Sequence, residues 1–175
     1  ITEAMVRKLI VPATVAAGAS LALGADVGKT IHAVLGGRWG GKLHVLRSFE
    51  VDGWDDLDNL IASTGAQSVV VDMNPERRDS EEFCLRHPGV AFRAYHPEGM
   101  RATYNWDGNA AVVQIAHAPA VDLLLNRIRT GVIELHNAGE IEQLVRHLLH
   151  VNVVLETNAK GAEERRIHLL ELEYR

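Results

Sequence analysis

The chain has 175 residues, 47% of them hydrophobic, which suffices to bury one sizeable core in a single domain. Its formal net charge of -5 excludes a polycationic nucleic-acid binder but not a metal-dependent nuclease, whose site carboxylates lower the formal sum until cations bind. The lone Cys84 excludes an intramolecular disulfide framework and fits a reducing compartment. Arginine greatly outnumbers lysine, and its planar fork suits bidentate phosphate contacts and surface ion pairs equally well.

Residues 1–18 read as a short helix followed by a linker, broken at Pro12 and Gly18, with the main domain over 19–175. Arg7 and Lys8 ahead of "LIVPATVAAGASLALGA" also admit a signal peptide. Cleavage after Ala25 would, however, leave Asp26-Val27-Gly28 as a bare terminus, and a chain opening on Ile1 is expected to be a fragment. Pro12, Thr14 and Ser20 make the stretch a poor membrane span, and nothing later is long and apolar enough to replace it.

"LALGADVGKT" at 21–30 ends like a phosphate-binding P-loop. That motif needs a glycine five positions before Gly28, where the chain has Leu23. The alternation of Leu21, Leu23 and Ala25 with small residues predicts a strand ending at Asp26. "IHAVLGG" and "KLHVLRSFEV", joined by "GGRWGGK", form a hairpin signal. "WDDLDNLIAST" predicts a helix with Asp55 and Asp56 in its first turn and Leu57, Leu60 and Ile61 on its buried face. "QSVVVDMNPE" gives the strongest strand, a β-branched run ending at Asp72. "RRDSEEFCLRHPG" follows as a helix stopped by Pro88-Gly89, and "VAFRAYH" as the next strand. Residues 100–116 read as an irregular ribbon around "NWDGNA", and "PAVDLLLNRIRTG" as a helix closed by Gly131. "VIEL" is a short strand, "EIEQLVRHLLHVN" a helix, "VNVVLET" its continuation into a strand, and "NAKGAEERR" a solvated loop. The order predicts a mixed α/β fold around a central sheet.

Asp26 and Asp72 each close an apolar strand. If those strands are parallel neighbours, both carboxylates reach the crevice beyond the strand ends, where open α/β sheets bind ligands. Two close carboxylates repel unless a cation lies between them, and hard oxygen ligands favour Mg²⁺ or Mn²⁺. Paired ions roughly 3.5–4 Å apart can clamp the attacking and leaving oxygens of a phosphoryl displacement. The plainer alternative is that both aspartates cap the turns that follow.

"SLALGADVG" before a hairpin, then "VVVDMNPERRDSEEFCLRHPG" and "YNWDGNAAVVQIAHAPAVDLLLNRIRTGVIEL", resemble the nuclease domain of phage large terminases, the motor subunits that cut and package viral DNA. The resemblance spans roughly residues 20–155 and is strongest at Asp72-Met73-Asn74-Pro75. It implies an RNase H-like fold and two-metal endonuclease chemistry with Asp26 and Asp72 as the first two acids. It also implies double-stranded DNA and other terminase or portal components as partners, the host cytoplasm as location, no membrane, and an ATPase domain elsewhere in the full-length protein. The chain departs from the family's third acid, an aspartate near the C-terminus, because no aspartate follows Asp122. Glu173 is the nearest positional substitute, with Glu171 and Glu156 behind it; otherwise the site is incomplete.

Arg77, Arg78 and Arg101 follow strand ends and could hold flanking phosphates, or simply be solvated. Trp39 could stack on a base or pack locally. His147 and His150, three apart on a helix, lack the partners of a zinc set and read as a helix face; Cys84 reads as a small core residue. Two other functions compete with the nuclease. "GADVGKT" also resembles the phosphate loop of actin-like kinases, which would make the chain an ATPase half-domain. A DNA-binding packaging module with an incomplete catalytic site is the third reading.

Overall fold

In a computed structural model the chain is described over residues 1–100, 102–136, 141–149, 151–157 and 163–169, the last two segments as backbone only. The elements are α1 (Glu3–Arg7), β1 (Ile10–Val11), β2 (Leu21–Asp26), β3 (Ile31–Trp39), β4 (Lys42–Val51), α2 (Trp54–Thr64), β5 (Ser68–Asp72), α3 (Arg77–Arg86) and β6 (Ala91–Tyr95). They continue as β7 (Tyr104–Asp107), β8 (Val112–Ile115), α4 (His117–Thr130), β9 (Ile133–His136), α5 (Ile141–Leu149), β10 (Val151–Thr157) and β11 (Glu163–Leu169).

Nine strands form one mixed sheet in the order β1-β9-β4-β3-β2-β5-β6-β8-β7, and β10 and β11 pair separately as an antiparallel ribbon. β2, β3 and β4 are an antiparallel meander. β3 and β4 meet in a tight turn at Gly40 and Gly41, with φ of 56° and 77°, the left-handed conformation at both central positions that matches strand twist and that glycine adopts without penalty. β5 then lies parallel to β2, and β6 parallel to β5.

Helices cover both faces. α2 and α3 bury Leu57, Leu60, Ile61, Phe83 and Cys84 against Leu23, Ala25, Ala33, Val69 and Val71. On the other face a second cluster joins Val6 and Leu9 to Ile128, Ile133, Leu135 and Val145 from α4, β9 and α5. Between Leu35 and Gly36 the β3–β4 register shifts, leaving Leu46 as an extra residue on β4. This bulge resets the alternation, so His44 and Phe49, an odd number of residues apart, share a face. Gly36 is required there: a Cβ would come within 2.5 Å of the His44 carbonyl oxygen.

Two expected irregular segments are ordered strands. The residues expected as a linker supply β1, which adds to the sheet beside β9, and Leu9 enters the second cluster. Its backbone partners lie at the far end of the chain, beyond the reach of a local pattern. Likewise, the EERR part of the expected solvated loop belongs to β11, whose charged residues pair in register with β10. The ribbon around "NWDGNA" is the β7–β8 hairpin on the sheet edge.

Candidate functional site

β2 and β5 carry their apolar residues Leu23, Ala25, Val69 and Val71 into the α2–α3 core, which turns the intervening residues to the opposite face. The two strands are parallel, with Ala22 beside Ser68, Gly24 beside Val70 and Ala25 beside Val71. Asp26 and Asp72 are the next residues in that register, so both stand on one face at the C-terminal edge of the sheet. Adjacent strands lie about 4.8 Å apart, which puts the two Cβ atoms within reach of one cation.

Asp26 is exposed and Asp72 half-buried. The Asn74 amide donates to Asp72 Oδ1 at 3.2 Å, so the turn-capping reading is correct in part for Asp72. A carboxylate has about four lone-pair sites, and one such bond orients it while leaving room for a cation. On the other side of Asp26, His32 is its cross-strand partner in β3. His32 Nδ1 lies 3.6 Å from Glu50 Oε1, and its ring meets that of His147 edge-on at 6.1 Å. His147, read from the sequence as part of a partly solvated helix face, is half-buried beside the strand that carries His32; His150 lies outside the described residues.

Arg77 opens α3 five residues after Asp72 and lines a cavity of about 500 Å³ with Met73, Arg93, Tyr95, Asp107 and Gln114. Arg93 reaches Glu81 at 3.4 Å, while its buried Nε has no partner. Arg78 is largely exposed and bonds Glu82 one helical turn on, at 3.0 Å. Arg101, Glu171 and Glu173 lie outside the described residues, as does the side chain of Glu156.

Other candidates resolve into packing. Trp39 lies flat against His44, ring centroids 3.6 Å apart, and joins the α2–α3 core. Cys84 is buried, and burial pushes its thiol up to about 11, the opposite of what a nucleophile needs. Gly28-Lys29-Thr30 leads into a strand, where a P-loop requires a helix. Sequence reasoning missed a second cluster: His44, Glu134 and His136 bring three potential ligand atoms within 4.8 Å of one another. The two histidines are 92 residues apart, and only the β4–β9 pairing joins them.

No established sequence family matches the chain, and no curated protein matches it. Solved structures do. The large terminase of a thermophilic bacteriophage matches over 90% of this chain at 13% identity and a TM-score of 0.56. The chain spans 38% of that protein's length. The nuclease domain of the large terminase subunit of bacterial virus Sf6, in a point mutant solved with manganese, matches at 15% identity and TM-score 0.59, covering 95% of this chain and 87% of that one. The nuclease domain of the P22 large terminase matches at 9% identity and TM-score 0.57, over 94% and 81%. The chain therefore has the fold of large terminase nuclease domains, the RNase H-like mixed sheet flanked by helices that its sequence led us to expect.

Proposed function

We propose that the chain is the divalent-metal-dependent endonuclease domain of a viral genome-packaging terminase. The observation that carries this reading is the register of β2 and β5, which sets Asp26 and Asp72 side by side at the strand ends. The fold shared with terminase nuclease domains supports it further.

The donor set fits a hard cation: adjacent carboxylates at an open edge, one of them oriented by a backbone amide. Asp26 and Asp72 would hold Mg²⁺ or Mn²⁺, with Glu173 as third acid. Such ions, when bound, supply an activated water and charge stabilisation for hydrolysis of the phosphodiester. The chain's own part is to place the carboxylates without strain and to meet the phosphates that flank the cut. Arg77, Arg78 and Arg101 are the residues proposed for that contact. Sequence preference should be weak, since phosphate contacts position the duplex but carry no base information. Double-stranded DNA and the other packaging components, in the host cytoplasm, are the partners this reading implies. No described helix is long and apolar enough to cross a membrane.

A second reading is a DNA-binding module that does not cut, one that holds the duplex through its arginines alone. Incubating supercoiled plasmid with the chain and Mn²⁺, beside an ATP-hydrolysis assay, separates the possibilities. The nuclease reading expects nicking that EDTA abolishes and no ATP turnover. Binding without nicking would replace it with the packaging module, and ATP turnover with the kinase-like half-domain.

A further inference from the structure

Two buried histidines and a carboxylate meet on the sheet face opposite the aspartates, near the other end of the strands. His44 sits beside Glu134 in the β4–β9 register, and His136 follows two residues on, so all three share a face. His44 is level with Gly37 and Leu21, five residues short of Asp26 along β2, or about 17 Å at strand rise. His44 is 6% exposed and His136 1%.

The ligand atoms converge on one point. His44 Nδ1 is 3.0 Å from His136 Nε2 and 3.4 Å from Glu134 Oε2. Ligands at 2.0–2.2 Å from a tetrahedral Zn²⁺ stand roughly 3.3–3.5 Å apart, and the two separations from His44 Nδ1 lie within a few tenths of an ångström of that spacing. Outside the cluster, His44 and Glu134 make contacts of the kind that metal ligands use. His44 turns Nε2 to the Trp39 carbonyl at 3.1 Å, which as a donated N–H leaves the Nδ1 lone pair facing inward. Lys42 holds Glu134 Oε1, leaving Oε2 toward His44.

Without a cation the same groups satisfy one another differently. The Thr14 amide donates to His136 Nδ1 at 3.0 Å, which fixes the His136 proton on Nε2, where it donates to His44 Nδ1. A cation at Nε2 shifts that proton to Nδ1. The nitrogen then becomes a donor, and the Thr14 amide loses its acceptor.

We propose that His44 Nδ1, His136 Nε2 and Glu134 Oε2 form a site for one divalent transition cation of the zinc class, and that its binding releases the segment around Thr14. Two imidazoles and one carboxylate select Zn²⁺, Ni²⁺ or Cu²⁺ over Mg²⁺ and Ca²⁺. The site is distinct from the aspartate pair, and it stands whether or not the chain cuts DNA.

Co²⁺ is the optical probe and Zn²⁺ the competitor, used on the whole chain carrying Asp26→Asn and Asp72→Asn so that an ion at the strand ends does not count. One equivalent of Co²⁺ should give the visible absorption of a four-coordinate nitrogen–oxygen site, removed by Zn²⁺. The ring-proton NMR signals of His44 and His136 should shift to saturation at one equivalent of Zn²⁺, with faster hydrogen exchange at the Thr14 amide. Glu134→Gln keeps the size of the side chain and should weaken binding by roughly tenfold or more. Unmoved histidine signals in excess Zn²⁺ overturn the site and leave a hydrogen-bonded core pair. Equal Co²⁺ affinity in folded Glu134→Gln and His44→Ala chains overturns it too. Because the NMR result comes from unaltered cluster residues, it decides even if His44→Ala fails to fold.

Discussion

Asp72 accepts the Asn74 amide through Oδ1, so a single carboxylate both shapes its turn and closes β5. The same economy is absent at Phe83, which has no exposed surface and packs its ring 5.1 Å from Trp54 and 4.9 Å from His87. Phe83→Ala would leave a hole between α3 and the sheet that rigid strands cannot collapse into, and should cost about 3–5 kcal/mol in urea denaturation. A loss below about 1 kcal/mol would mean that the core repacks there. Glu173 is the residue proposed as third acid. Two aspartates alone offer few oxygens for two ions, so Glu173→Ala should lower both Mn²⁺ affinity and plasmid nicking. Unchanged nicking would remove it from the site. That strands end at Asp26 and Asp72 was legible in the sequence because each closes an apolar run. His44, Glu134 and His136 were not, since nothing local links β4 to β9.

Among the elements, those with a strong internal period were legible: the Leu57–Leu60–Ile61 face of α2, the Val69–Val71 run of β5, and the β3–β4 hairpin with its paired glycines. β1 and β11 were not. Two residues have no period, and the EERR run of β11 reads as loop until β10 is paired with it. The β4–β9 contact also has a pH signature. Burial, and then the neighbouring His44, push the His136 imidazole below its ordinary value of 6.5, while Glu134 pulls the other way. A depressed histidine binds protons more readily in the unfolded chain, so its contribution is full above about pH 6.5 and is lost as pH falls. Glu134, held low by Lys42 first and by the two histidines after it, adds a further loss in acid. The melting temperature should therefore fall between about pH 7.5 and 5.5, and fall less in His136→Gln. Parallel slopes would show that His136 takes no part in the pH dependence, against this account.

Over the whole molecule, the charge of -5 and the nuclease fold pull in different directions for DNA. With arginines as the proposed phosphate contacts on a chain of negative net charge, affinity should be weak, indifferent to sequence and steeply reduced by salt. Fluorescence anisotropy on a labelled duplex at two ionic strengths tests this, and equal affinity at both would argue against a phosphate-tracking groove. The chain spans little more than a third of the thermophilic phage terminase that shares its fold, which makes tight binding by this domain alone unnecessary to the proposal. The central claim is narrower: Asp26 and Asp72 act together on one set of cations. It is tested most directly by Mn²⁺-dependent nicking of supercoiled plasmid with the single variants Asp26→Asn and Asp72→Asn, each checked for an unchanged circular dichroism spectrum. Each variant should lose cleavage while remaining folded, and a folded variant of either kind that nicks at the wild-type rate would contradict the account.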